Sequence, residues 1–235
     1  MVSYWKSSQV RPAVDREIAA RSPSWVLNNQ AVGWNEDVWQ KRWTKYPVPG
    51  NGHILQAISS EVQAHKTIRR RFVFGYANKT PADFITVAMA WGYGGNDNRG
   101  PSRTVAALTG PIAPAIVLND VRQALNSGGT AAAFSAMFAH GKPRLANCNV
   151  AFATKVLHFL AYCGSVRPRP LIYDLRVADA LARIPTAPYV PHPGSLITGT
   201  QYERYCEWAE RYAVLRNTAR VVVEYALWAV GGRLC

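Results

Sequence analysis

The chain has few of the residues that bind metals, and their spacing does not suggest a metal site. Four cysteines and five histidines occur among its 235 residues. No two cysteines have the C-x-x-C spacing of zinc and iron–sulfur sites, and the histidines are scattered. We therefore expect no metal and no other cofactor, and interpret the cysteines as buried thiols of a reducing compartment. The cysteines are Cys148, Cys163, Cys206 and Cys235.

The chain also lacks segments that would direct it to a membrane. Residues Met1 to Lys6 have no charged segment followed by an apolar core, so they do not predict a signal peptide. The most apolar stretch, Val221 to Val230, is short and is interrupted by Glu224, which argues against a spanning helix. We expect a monomeric, cytoplasmic protein with no membrane partner.

Alternating strand patterns, internal repeats and low-complexity tracts are scarce, whereas helical spacing of apolar residues is common. With 49% hydrophobic and 11% aromatic residues, the chain can bury a substantial core in one domain or in two lobes that share a cleft. We predict a mostly α, two-lobed fold with a central cleft, formed by a single domain over residues 1–235. Its parts are a tryptophan-rich segment (1–50), a helical lobe (51–140), a third region (141–199) and a C-terminal helix (200–235).

Acidic residues are few, and this imbalance points to a polyanionic partner. Fourteen Asp and Glu residues face 27 Lys and Arg residues, which gives a formal net charge of +13. Such a charge favours nucleic acid through counterion release. A basic proteome would produce the same balance, so charge alone leaves that alternative open.

Capping and breaking residues place several helices. Thr80 and Pro81 predict a helix start, and the apolar pattern continues to Trp91. Ser127 to Gly129 divides a later pattern into two helices, over 119–125 and 130–140. Near the C-terminus, the spacing of Thr200 and Glu203 matches a capping box that opens one long helix ending at Gly231-Gly232.

A lone lysine and a lone aspartate form the most informative pair in the chain. Lys155 lies in the apolar stretch Asn149–Leu160, which we predict as a helix, and Asp174 follows 19 residues later, where it can cap a helix over 175–184. An amine among apolar side chains loses hydration, so more of it becomes the neutral nucleophile. A nearby carboxylate can accept the proton or stabilise a developing cation, as chemistry at a sugar C1′ requires.

Two strings carry a resemblance to a known family. Thr154-Lys155-Val156 and Asp174-Leu-Arg-Val177 resemble the Gly-Thr-Lys-Val and Asp-x-x-Val strings of the helix-hairpin-helix DNA glycosylases, in particular the 8-oxoguanine DNA glycosylase branch. The resemblance is firm over Leu145 to Leu181 and thin elsewhere. It implies that Lys155 forms a Schiff base with the sugar and that Asp174 supports this step.

The chain departs from the family at the hairpin before the lysine. The family usually has two glycines there, whereas this chain has Ala151 and Ala153. Those glycines allow backbone amides to approach a DNA phosphate closely. We therefore predict an ordinary helix start in place of the hairpin.

The resemblance implies a DNA N-glycosylase that flips a modified base out of the duplex and excises it. Lys155 can attack C1′ and lead to β-elimination of the strand, or Asp174 can activate water and leave an abasic site. The implied substrate is an oxidised guanine. A bulky base of invading phage DNA, such as glucosylated hydroxymethylcytosine, is an alternative. A non-catalytic DNA-binding protein and an RNA-binding helical protein are hypotheses from other classes.

Further residues are candidates for substrate contacts. Those for the base pocket are aromatic, and core packing is the competing interpretation for Phe134, Phe138 and His158; the candidates are Trp91, Tyr93, Phe134, Phe138 and His158. Those for phosphate contact are basic, with a solvated surface as the alternative for the run at 69–71; the candidates are Arg69, Arg70, Arg71, Arg99, Arg103, Lys142, Arg144, Arg167 and Arg169.

Overall fold

The computed structural model describes residues 7–45, 52–94, 99–161 and 164–234. Within these ranges the chain forms twelve helices and four strands of two residues each. The helices are α1 (Ser7–Ala19), α2 (Pro23–Asn29), α3 (Glu36–Trp43), α4 (Gly52–His65), α5 (Arg70–Phe74), α6 (Pro81–Tyr93), α7 (Arg99–Thr109), α8 (Pro114–Ala136), α9 (Val150–Leu160), α10 (Leu175–Leu181), α11 (Gly199–Leu215) and α12 (Arg220–Gly231). The strands are β1 (Ala31–Val32), β2 (Ile68–Arg69), β3 (Phe138–Ala139) and β4 (Lys142–Pro143).

The predicted mostly α class is confirmed, and several helix starts follow the predicted capping. The Thr80 side chain accepts a hydrogen bond from the Asp83 backbone N–H at the start of α6. Gly129, with φ 73° and ψ −160°, breaks the helical path within α8 at the predicted division. The division into two lobes around a cleft remains a prediction, and residues 1–6, 95–98, Cys163 and Cys235 lie outside the described residues.

Two predictions for the C-terminal region are wrong. The capping box is formed by Thr198 and Gln201, two residues before the predicted pair. Glu203 instead accepts a hydrogen bond from the Ala131 backbone N–H on α8, 3.2 Å away. The predicted single long helix is two helices, because the chain turns after α11 through Asn217 in the left-handed region, at φ 49°.

Helix α12 returns against α10 at very short range. A Cβ atom added to Gly231 would lie 1.8 Å from the Arg176 backbone oxygen, so only glycine allows this approach. Because α10 begins immediately after Asp174, α12 helps to fix the position of that aspartate.

The two small sheets connect distant segments. Strand β1 pairs antiparallel with β2, with Ala31 opposite Arg69, and so joins the N-terminal segment to the start of α5. Strand β3 pairs with β4 across a turn that contains Gly141 at φ 75°. The second predicted helix of α8, over 130–140, therefore ends earlier than expected, at Ala136.

The predicted phosphate contact of Arg70 is contradicted, because its side chain lies in the protein interior. It is 0% exposed and donates hydrogen bonds to the side chains of Gln30 and Glu224. Burial of the charge is balanced by the ion pair with Glu224, which is also fully buried. Arg70 therefore connects α2, α5 and α12 and does not reach the surface.

No single helix among the described residues is long and apolar enough to cross a membrane. The pair α7 and α8 satisfies the length and composition requirements only when taken together, and the two helices are bent by 81°.

Candidate active site

Helix α9 presents Lys155 from the interior of the protein. The Asn149 side chain caps the helix by accepting a hydrogen bond from the Phe152 backbone N–H at 3.4 Å. Ala151 and Ala153 lie in its first turns, so the predicted ordinary helix start is confirmed. Nine of the eleven residues of α9 are buried, and Lys155 is one of them.

Asp174 caps a helix and also pairs with the amine of Lys155. Its Oδ1 atom accepts a hydrogen bond from the Val177 backbone N–H at 3.2 Å and caps α10. Its Oδ2 atom lies 3.5 Å from Lys155 Nζ. One carboxylate therefore begins a helix and pairs with the amine, and the cap fixes its orientation toward Lys155.

The residues immediately before Lys155 and Asp174 are hydrogen-bonded to each other. The Thr154 hydroxyl accepts a hydrogen bond from the Tyr173 N–H at 3.0 Å and lies 3.3 Å from the Tyr173 carbonyl oxygen, to which it can donate. Thr154 is completely buried. Because Thr154 and Tyr173 immediately precede Lys155 and Asp174, this contact holds the two functional side chains at a fixed separation.

We expect Thr154→Val to reduce the free energy of unfolding by about 1–3 kcal/mol, because the buried Tyr173 N–H loses its acceptor. Urea denaturation measures this effect. The control is Thr86→Val, since Thr86 is equally buried but donates only to Ala82 within its own helix. The role of Thr154 would be contradicted if both variants lost the same stability.

The amine of Lys155 is closely surrounded. Nζ donates to the Ala151 carbonyl oxygen at 3.3 Å and lies 5.3 Å from the centre of the Phe152 ring. Gly92 on α6 makes room for both side chains. A Cβ atom at position 92 would lie 2.4 Å from Phe152 Cε1 and 3.2 Å from Lys155 Cδ.

Lys155 and Asp174 line an open pocket of about 580 Å³. Their side chains are 8% and 18% exposed, so the pair is largely desolvated but remains accessible. Other predicted residues lie in the same lining: Trp91, Tyr93, Arg99 and Arg103. The structure therefore brings together six residues that the sequence singled out. We call this space the Lys155 pocket.

The lining of the Lys155 pocket also includes polar and aromatic side chains that sequence reasoning missed: Gln30, Phe152, Arg176 and Trp228. Phe152 stacks on Tyr93 at a ring separation of 4.3 Å, and the Arg176 guanidinium lies 4.9 Å from the centre of the Trp228 ring. Arg176 lies within one recognised string and Phe152 lies two residues before the other, so the sequence could have indicated both. Gln30 and Trp228 carry no local signal, because only the tertiary fold brings them to the pocket.

Arg70 orients the amide group of Gln30, a residue of the pocket lining. A guanidinium group can only donate, so the Gln30 Oε1 atom faces Arg70. The Nε2 amide group of the same side chain is a hydrogen-bond donor that does not face Arg70. Arg70 thus fixes which end of this amide is the acceptor.

Three predicted pocket residues do not line the Lys155 pocket, and their placement is a correction. Phe134 is 1% exposed and stacks on Tyr202, while Phe138 packs against Phe134 at a ring separation of 5.0 Å. His158 is held by the Pro170 carbonyl oxygen and by Arg70. All three have the packing roles that were the competing interpretation.

The environment of His158 keeps its ring neutral. The carbonyl oxygen of Pro170 can only accept and Arg70 can only donate, so Nδ1 carries the proton and Nε2 accepts. Burial, together with the charge of Arg70, lowers the pKa of His158 well below its usual range. Burial raises the pKa of Glu224, while Arg70 opposes that change. This group is therefore a structural network in the protein interior.

The basic candidates for phosphate contact are dispersed. Arg69 pairs with Glu61 at 2.7 Å, and Arg144 pairs with Asp120 at 2.6 Å, so both have protein partners. Arg71, Lys142 and Arg167 are exposed. Arg169 lies with Arg220 at a separate pocket of about 190 Å³ beside His158. Only Arg99 and Arg103 among these candidates line the Lys155 pocket.

Neither thiol that the structure describes is suited to nucleophilic chemistry. Cys148 and Cys206 are buried and unpaired. Burial raises the pKa of each to about 12, so the reactive thiolate is rare. Within the described ranges, no three His, Cys, Asp or Glu side chains are grouped as a metal ion would require.

The model of a known protein family matches most of this chain. The family is described as "Putative 8-oxoguanine DNA glycosylase OGG-like protein", and its model matches residues 26–228. This range contains Lys155, Asp174 and every residue that lines the Lys155 pocket. No curated protein and no solved structure matches the chain.

Proposed function

This chain belongs to the OGG-like family of 8-oxoguanine DNA glycosylases, and we propose that it excises an oxidised purine, 8-oxoguanine, from duplex DNA. The observation that supports this proposal best is the Lys155–Asp174 pair, 3.5 Å apart at the wall of an open pocket. A nucleophile and a carboxylate that can stabilise positive charge are the groups required at a glycosidic carbon.

The reaction begins when the damaged nucleotide leaves the base stack, which costs a few kcal/mol. The Lys155 pocket, with its aromatic wall of Trp91, Tyr93 and Phe152, receives the base and offsets part of this cost. The reacting C1′ atom then lies beside the paired amine and carboxylate, within reach of both.

In the bond-breaking step, the C1′–N9 bond of the nucleotide breaks and the base leaves with the electron pair, taking up a proton from solvent. Asp174 stabilises the cationic character that develops at C1′. As the Lys155 nitrogen forms its bond to C1′ and removes the positive charge there, one proton of the former ammonium passes to the carboxylate beside it. The C1′–O4′ bond then breaks, O4′ takes up the second proton of the nitrogen, and an imine results. Loss of a C2′ proton to solvent and cleavage of the C3′–O3′ bond by β-elimination release the 3′ strand as a phosphate.

A single experiment tests excision and separates it from the water-activated variant. A duplex that contains 8-oxoguanine is incubated with the protein, once with borohydride and once without. The proposal expects free 8-oxoguanine and a covalent adduct that borohydride traps. Release of the base without an adduct would assign water activation to Asp174, and no release would reject this substrate.

Gln30 is expected to contribute to base selection. Its Nε2 donor suits a carbonyl acceptor of the base, and Gln30→Glu keeps the acceptor for Arg70 but places a carboxylate oxygen toward the base. We expect kcat/KM for the 8-oxoguanine duplex to fall roughly tenfold to a hundredfold. Gln63→Glu, the same change at an exposed position on α4, is the control. Equal kcat/KM for both variants would contradict a role for Gln30 in base selection.

The size of the Lys155 pocket favours a second candidate substrate. A volume of about 580 Å³ lies within the roughly 300–1,000 Å³ range of pockets that hold drug-sized ligands, so it has room for a base that carries a sugar. The candidate is glucosylated hydroxymethylcytosine, excised from phage DNA as a defence. Digestion of glucosylated phage DNA beside the 8-oxoguanine duplex identifies the substrate by the base that is released.

A further inference from the structure

Helix α3, together with Lys45 just after its end, has an exposed cationic face. Lys41, Arg42 and Lys45 surround a shallow depression of about 350 Å³ together with Val38. All three basic side chains are exposed, and none forms an ion pair with any residue in the described part of the chain. The acidic residues of this helix, Glu36 and Asp37, lie in its first turn. Three unpaired cations within five residues therefore form a concentrated positive surface.

The opposite face of α3 is anchored beside the Lys155 pocket. Trp39 and Trp43 are buried, and their rings lie 6.1 Å apart. A Cβ atom added to Gly100 on α7 would lie 3.1 Å from Trp39 Cζ2 and 3.1 Å from Tyr93 Cβ. Trp39 and the pocket residue Tyr93 therefore meet at one point of α7, next to Arg99, which also lines the pocket.

This anchoring accounts for two tryptophans of the tryptophan-rich segment. Trp39 and Trp43 fix α3 against α7 as core residues. Packed helices lie about 8–10 Å apart, which corresponds to roughly three base-pair steps of about 3.4 Å along DNA, and α3 packs on α7. A duplex that runs from a nucleotide in the Lys155 pocket across α7 would therefore present its phosphates to the outer face of α3.

We propose that the cationic face of α3, formed by Lys41, Arg42 and Lys45, binds the phosphate backbone of duplex DNA beside the flipped nucleotide. This inference rests on the proposed function for the location of that nucleotide. The face offers unpaired cations on a helix that packs against α7, whereas Arg69 and Arg144 are paired and Arg70 is buried. It also gives the N-terminal segment a function in addition to core packing.

The first test compares two triple variants of equal charge change. K41Q/R42Q/K45Q removes the α3 cations, and K79Q/R204Q/R211Q removes three exposed cations from positions outside α3, α7 and the Lys155 pocket. The probe is a labelled duplex that carries a tetrahydrofuran analogue of an abasic site. We expect the slope of log affinity against log salt to become shallower by about 2 to 3 in the α3 variant and by less than about 1 in the control.

The second test locates the contact on the DNA. In a series of duplexes, one phosphate at a time is replaced by a neutral methylphosphonate. Neutralising a contacted phosphate should weaken binding of the unsubstituted protein but should have no further effect on the α3 variant, because its cations are already absent. Additive effects at every phosphate, or an unchanged salt slope, would overturn the proposal.

Failure of this proposal is distinguishable from failure of the proposed function. Both tests measure binding, and excision of 8-oxoguanine is followed separately under single-turnover conditions. If excision fails while the α3–phosphate coupling is present, only the substrate assignment is lost. If excision is present without the coupling, only the role of α3 is lost. Loss of binding to phosphatidylserine vesicles in the α3 variant, with unchanged DNA binding, would also overturn the proposal.

Discussion

Lys155→Ala is expected to eliminate the borohydride-trapped adduct and to reduce excision roughly 10³-fold or more, because the group that bonds to C1′ is removed. The residual rate comes from Asp174 and from binding of the flipped base in the pocket. The measurement is single-turnover release of 8-oxoguanine, with adduct formation followed on a denaturing gel.

Lys155→Arg is the matched control for charge. It keeps a cation beside Asp174, but a guanidinium remains protonated and does not attack C1′. Both variants are therefore expected to lack the adduct, whereas the arginine variant better preserves the ion pair and the melting temperature. Full excision by either variant would contradict a nucleophilic role for Lys155.

Asp174→Asn is expected to lower the rate of excision by about 10²- to 10⁴-fold without unfolding the protein. Asparagine is as good an N-cap as aspartate, so the hydrogen bond to the Val177 N–H can be retained and α10 should form normally. What is lost is the negative charge 3.5 Å from the amine, which stabilises the cationic transition state. Single-turnover kinetics and thermal unfolding together measure the two effects.

Asp174→Ala separates the two roles of this carboxylate. Because alanine cannot cap α10, this variant should lose about 1 kcal/mol of stability in addition to activity. An Asn variant with unsubstituted activity would favour the hypothesis of a non-catalytic DNA-binding protein. That hypothesis also predicts salt-dependent binding with no abasic product.

The sequence was most informative where function depends on local signals. The cap formed by Asp174 and the helix that carries Lys155 follow from residue types and spacing, and the 19-residue interval reflects the Thr154–Tyr173 contact one residue earlier. Four residues of the pocket lie at the end of one helix or at the start of the next, so the local sequence was enough to predict that they are close together. They are Trp91, Tyr93, Arg99 and Arg103.

The sequence was least informative where a role depends on a distant partner. Arg70 stands in a basic run that suggests a surface, yet its ion-pair partner Glu224 lies 154 residues later, and only the fold reveals the interior position. The same holds for Gln30, whose orientation is fixed by Arg70. Phe134 and His158 are further examples, because their partners Tyr202 and Arg70 lie far from them along the chain.

Gly92 has a consequence for how the proposed nucleophile is held. The stem of Lys155 and the Phe152 ring occupy the volume that a larger residue at position 92 of α6 would fill. The path of the Lys155 side chain is therefore limited by a neighbouring helix as well as by α9. An alanine at position 92 would displace the ring or the stem, so α6 shares control over where the amine is placed.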